Sequence, residues 1–199
     1  MTANDTDVID TLVGIVPGSA LDGARARRPA ARSHAEASYR ALLLPAEPGD
    51  VTIAERFAVA AYVAGLHGGA ATVGHYNRAL VEHGGAALAA TVAQAVAETM
   101  SRGPTGHYPP GPLSVEDVPG PDFALSAPVT AALGPKLAAG FAHAHYLVFH
   151  PRDAAPERFP PLMEAGWSED GIVTLSQLVS FLAFQIRVVA GFAVLAATP

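Results

Sequence analysis

Eight histidines and no cysteine set the chemistry open to this chain of 199 residues. His67 and His75 flank a Gly68-Gly69 break in the stretch from Thr52 to Glu82, TIAERFAVAAYVAGLHGGAATVGHYNRALVE. Imidazole exchanges its proton near neutral pH, so either residue can act as a general acid or base. With a helix after the break, Thr72, His75, Arg78 and Glu82 form one polar line. The competing reading for both histidines is a hydrogen-bonded place in an apolar core. Arg187 is the third candidate, the sole charge after Asp170 in the most apolar part of the chain. Gln177 and Ser180 lie with it on a narrow polar line. A charge so placed needs a carboxylate, Glu55 or Glu82, or it faces a cavity or interface. In a cavity its planar fork of donors suits a substrate carboxylate. His143 and His150 are seven apart on one face of a predicted helix, while His145 points elsewhere. No carboxylate joins them at a ligand spacing, so neither a metal nor a cofactor is expected.

The elements that position these groups read as helices throughout, and the expected fold class is all-α. Thr6 to Val16 forms a short helix ended by Pro17-Gly18, Ser19 caps a further turn or two through Ala26, and Pro29 opens a helix reaching Leu44. Thr52 and Glu55 fit a capping box, and Val59, Tyr62, Val63 and Leu66 follow at helical spacing. A second core helix runs from about Ala70 to His83, is ended by Gly84-Gly85, and is followed by a third from Ala86 to Met100. Prolines and glycines from Gly103 to Pro128 are too dense for regular structure. That segment is either a surface connection or a lid. Pro135 starts a helix that stops at His150-Pro151, and a short helix sits around Leu162 to Ala165. Trp167 is a packing residue at the start of the last helix, which Ser168 caps and Glu169 and Asp170 favour electrostatically. The uncharged run from Gly171 to Ile186 is shorter than a membrane span requires and reads as a buried helix.

Composition narrows the partners. Half of the residues are hydrophobic and 15% are charged, a balance that points to self-association. A formal charge of −6 argues against nucleic acid and anionic membrane. The acidic N-terminus lacks the basic and apolar regions of a signal peptide, so a cytoplasmic location is expected. Disulfides and thiolate chemistry are excluded.

Two segments together resemble the carboxymuconolactone decarboxylase and alkylhydroperoxidase-D-like superfamily, an all-helical fold that assembles into oligomers. One is ERFAVAAYVAGLHGGAATVGHYNRAL, Glu55 to Leu80. It is similar to the family's E-R-E run, alanine-rich helix and C-x-x-C-x-x-H-H element. The other is AGWSEDGIVTLSQLVSFLAFQIRVVAGF, Ala165 to Phe192, which resembles the family's A-G-L-S-D-E-E-I run and its closing helix with F-x-x-R, here Phe184 and Arg187. The resemblance implies a family domain over 51–199 with an N-terminal helical extension over 1–50. Laid on the pattern without a gap, Phe57 stands where the relay acid belongs. Gly69 and Thr72 stand at the cysteines, His75 keeps the first histidine, and Tyr76 replaces the second. Peroxide reduction needs an attacking thiolate and a resolving thiol, and this chain has neither.

Three readings follow. The chain is a non-peroxidase member that binds a small molecule, with Thr72, Tyr76 and Gln177 as binding candidates. Or it is a partner subunit, in a homo-oligomer or beside a cysteine-bearing alkylhydroperoxidase-D-like chain. Or it is a cysteine-independent decarboxylase or lactone-type enzyme, in which His75 or His67 moves a proton and Arg187 anchors an acidic substrate.

Overall fold

A computed structural model describes residues 7–197. Eight α-helices lie among them: α1 Val8–Val13, α2 Ala20–Ala26, α3 Pro29–Leu43, α4 Ile53–His67, α5 Ala70–Thr99, α6 Ala127–Phe149, α7 Pro160–Glu164 and α8 Glu169–Ala197. Short 3-10 turns cover Pro112–Glu116, Pro151–Asp153 and Pro156–Arg158. Among the described residues the sole β-type pairing is an isolated antiparallel bridge between Gly106 and Val118. The all-α expectation therefore holds. Thr6, the expected start of the first helix, lies outside the described residues, and α1 ends earlier than Val16, at a left-handed Gly14.

Helix α4 is the centre of the bundle, with every residue from Arg56 to Leu66 buried. Its alanines and Gly65 let α5, α6 and α8 approach on different sides. A methyl group at Gly65 would stand 2.6 Å from Val96 Cγ2 of α5. The capping box is present as expected: Thr52 Oγ1 accepts from Glu55 N and the Glu55 carboxylate accepts from Thr52 N. Helix α5 is broken at Gly85, whose φ of 85° is open to glycine, and this matches the two helices expected there. Helix α6 is likewise broken at Gly134, so Pro135 does open a helix. The sequence missed the turns before it, which begin at Ala127.

Polar links tie the core helices. Tyr62 of α4 donates to Thr99 Oγ1 of α5 at 2.7 Å, and the Thr99 carbonyl accepts from His145 Nε2 of α6 at 3.0 Å. The Tyr62 ring also stacks on Phe141 with centroids 4.2 Å apart, a geometry worth about 0.5–1.5 kcal/mol beyond burial. Arg56 is buried yet has no carboxylate; its guanidinium donates to the carbonyls of Val51, Leu42 and Pro48 at 2.7–2.9 Å. It thereby fixes the loop between α3 and α4. In the N-terminal layer Arg25 binds Asp7 and Asp10, and Arg32 binds Asp10 and Asp22.

Helix α8 departs from the expected buried helix. Leu175, Leu178, Leu182, Gln185 and Val189 face the core, but Val173, Phe184, Val194 and Leu195 are exposed. At 29 residues α8 is also long and apolar enough to cross a membrane by length and composition, because it continues well past the uncharged run.

Candidate functional site

The joint between α4 and α5 holds the positions that the resemblance marks. Gly68 closes α4 in the left-handed region, and Gly69 precedes α5. Thr72 is buried and its hydroxyl donates to the Gly69 carbonyl at 2.8 Å, which closes the first turn of α5 on itself. Phe57 is also buried and stacks on His83, centroids 4.8 Å apart. Tyr76 is fully buried; its hydroxyl donates to Gln185 Oε1 of α8, and burial pushes the phenol well above its ordinary range. Gln185 Nε2 has no partner. The Thr72 hydroxyl is thus spent within its own helix turn and the Tyr76 hydroxyl on the contact with α8.

His75 is hydrogen-bonded to the Tyr39 hydroxyl at 2.9 Å and packs edge-on against Tyr76. Burial first, and then the Arg78 guanidinium, hold its pKa below the ordinary histidine value. It is a half-buried imidazole with a partner on α3, consistent with the core-histidine reading.

His67 and Arg187 are brought together, in a different place. They line one cavity of about 450 Å³ with Ser180, Leu147, Phe149 and Val179. Gly103 and Pro104, joined by a cis peptide bond, complete one side. His67 Nε2 is buried without a hydrogen-bond partner. Burial, followed by the charge of Arg187, keeps the imidazole below its ordinary pKa and hence neutral at pH 7. The expected Arg187 ion pair is absent: Glu55 binds Lys136 Nζ at 2.9 Å, and Glu82 is exposed on α5. The guanidinium instead donates along its own helix to the Ala183 carbonyl at 2.9 Å. No Asp or Glu stands in the cavity wall. A neutral imidazole and an exposed guanidinium with no carboxylate partner, set beside an apolar floor, are groups that a small carboxylate can engage. Neither His75 nor Gln177 lines it. Gln177 is exposed on an open depression with Ser38, Leu42 and Phe181.

A second polar cluster lies at the end of α6, and the sequence misjudged it. The helix stops at Phe149, so His150 leaves the face of His143. His143 Nε2 bonds Ser176 Oγ of α8 at 2.9 Å, while the rings of His145 and His150 stand 6.0 Å apart. Among the described residues no group of three or more His, Asp or Glu is placed to hold a metal ion. The proline-rich segment is pinned across this end. Thr105 N donates to the Phe149 carbonyl at 2.6 Å, His107 N to Asp153 Oδ1 at 2.7 Å, and His150 Nε2 to the Pro121 carbonyl at 3.1 Å. Arg152 reaches the Glu116 carbonyl at 3.0 Å. The segment is a fastened strap, and dispersed prolines give no pattern from which those fastenings could be read.

No protein-family model matches the chain, and no curated protein or solved structure matches it either.

Proposed function

We propose that this chain is a cysteine-free member of the carboxymuconolactone decarboxylase and alkylhydroperoxidase-D-like superfamily that binds a small carboxylate and does not reduce peroxides. The family reading is supported by the all-helical bundle and by the glycine joint at the expected place. The binding reading is carried by one observation: His67 Nε2 is buried and unpartnered in a cavity whose wall includes the exposed, carboxylate-free Arg187. Ordinary packing leaves few buried polar atoms unpaired, and a ligand oxygen is a natural partner for both groups.

The test is a titration with benzoate, whose carboxylate suits Arg187 and whose ring suits Leu147, Phe149 and Val179. Saturable shifts of the His67 ring resonances are expected, and Arg187→Gln weakens binding at least tenfold. Equal binding by Arg187→Gln refutes the reading. Cumene hydroperoxide with a dithiol reductant should show no turnover above the protein-free control.

A cysteine-independent decarboxylase or lactone-type activity is a second reading. It is supported only in the form that uses His67, since a neutral imidazole beside a carboxylate anchor is suited to move a proton. Self-association is supported by the exposed Val173, Phe184, Val194 and Leu195 on α8. Light scattering that returns a monomer at micromolar concentration argues against it.

A further inference from the structure

The strap and the end of α6 enclose a cavity of about 380 Å³, with Gly106, Gly120 and Phe123 on one side and Ala142, His145 and Tyr146 on the other. Most polar groups around it are engaged. The Asp153 carboxylate is held by the His107 backbone, which lowers its pKa, and His150 is tied to Pro121.

Two groups are not. His145 is 2% exposed and its Nε2 donates to the Thr99 carbonyl, which fixes the tautomer and leaves a lone pair on Nδ1. No protein group bonds that nitrogen. Tyr146 is 8% exposed, and its buried hydroxyl finds no acceptor for its proton; burial raises the phenol pKa, and the Arg158 guanidinium that faces the group works against that rise. Beside them the Arg158 guanidinium lies over the Tyr146 ring, Cζ 4.1 Å from the centroid, without a carboxylate partner. Tyr146, Ala142 and Arg158 also stand in the wall of a smaller space of about 140 Å³ against α7.

An acceptor nitrogen, a phenolic donor and a cation therefore stand around one cavity with an aromatic wall. A hydroxyl can donate to His145 Nδ1, and a carboxylate can accept from Tyr146 and pair with Arg158. From this placement we infer that the cavity under the strap is a second binding site, for a small hydroxylated carboxylic acid. Phe123 favours a ligand with an aromatic or apolar body. The site is separate from the His67–Arg187 cavity and does not depend on its assignment.

Mandelate is the probe, and phenylacetate, which lacks the hydroxyl, is the comparison. Both are titrated into the Arg187→Gln protein, so that carboxylate binding in the first cavity does not contribute. Long-range proton–nitrogen NMR reads the His145 ring. Mandelate is expected to saturate and to shift Nδ1, with phenylacetate at least tenfold weaker. Tyr146→Phe should weaken mandelate at least tenfold while leaving the thermal midpoint unchanged or raised, because the deleted hydroxyl has no protein acceptor and the Arg158 guanidinium beside it is open to water. A thermal midpoint lowered by Tyr146→Phe would overturn the inference, as would undiminished mandelate affinity in that variant. Equal affinities for the two acids, an unmoved His145 Nδ1, or no saturation at millimolar mandelate would do the same.

Discussion

Replacing Tyr76 by phenylalanine isolates the polar contact that fills the joint between α5 and α8. The two partners are both fully buried, and Gln185 already has an unsatisfied Nε2. Tyr76→Phe leaves Oε1 unpaired as well. A buried acceptor stripped of its donor costs about 1–3 kcal/mol, whereas removing both partners for apolar groups of similar shape is close to neutral. The single variant is thus expected to lose about 2 kcal/mol. Gln185→Leu alone leaves the Tyr76 hydroxyl stranded but removes the orphaned Nε2, so its loss should be smaller, about 1 kcal/mol. The double variant should return to within about 1 kcal/mol of the parent, giving a coupling of about 2 kcal/mol by a double-mutant cycle. Urea unfolding followed by circular dichroism measures each term. Additive losses in the double variant would refute the reasoning and mean that the pair is held by something other than its own hydrogen bond.

Two further outcomes follow from groups with unusual surroundings. Arg56→Met removes the donor to three backbone carbonyls, two in the loop and one at the end of α3, and should destabilise by about 3 kcal/mol or more, and a loss below about 1 kcal/mol in urea unfolding would contradict the clamp. His67, His75, His143 and His145 are all held below the ordinary histidine pKa, with burial the leading cause. The unfolded chain then binds more protons near and below pH about 6.5, so stability is full above that pH and falls as it drops toward the folded-state values. Urea midpoints at pH 7.5, 6.5 and 5.5 should decline in that order, and a flat or rising series would contradict the assignment of these rings as neutral.

What the sequence made legible was local. The Thr52–Glu55 cap, the break at Gly85 and the helix start at Pro135 each depend on residues within a few positions of one another. The candidate site was legible only in its ingredients. His67 and Arg187 were both recognisable as groups in need of partners, but their meeting depends on how α8 packs against α4. His75 kept the position that suggested chemistry, and Tyr39, far away in sequence, took its lone pair or proton. The error at His150 has a plain cause. Helical periodicity carries information only while the helix continues, and α6 ends one residue earlier. The strap was hardest, because in these fastenings its own side contributes the backbone groups of Thr105, His107, Glu116 and Pro121, which carry no signature of residue type.

Trp167, at the turn into α8, is the chain's sole tryptophan. Its indole donates to the Lys136 carbonyl at 2.7 Å, and the Lys136 ammonium sits 5.0 Å from the ring centroid. The same ammonium reaches the Asp50 carbonyl and the Glu55 carboxylate. Ultraviolet emission from this protein therefore reports one corner, where α4, α6 and α8 are latched by a single lysine. Its wavelength registers whether that latch is closed, whatever the rest of the bundle is doing. An emission transition that precedes loss of helical signal would mark the corner as the first part of the molecule to let go.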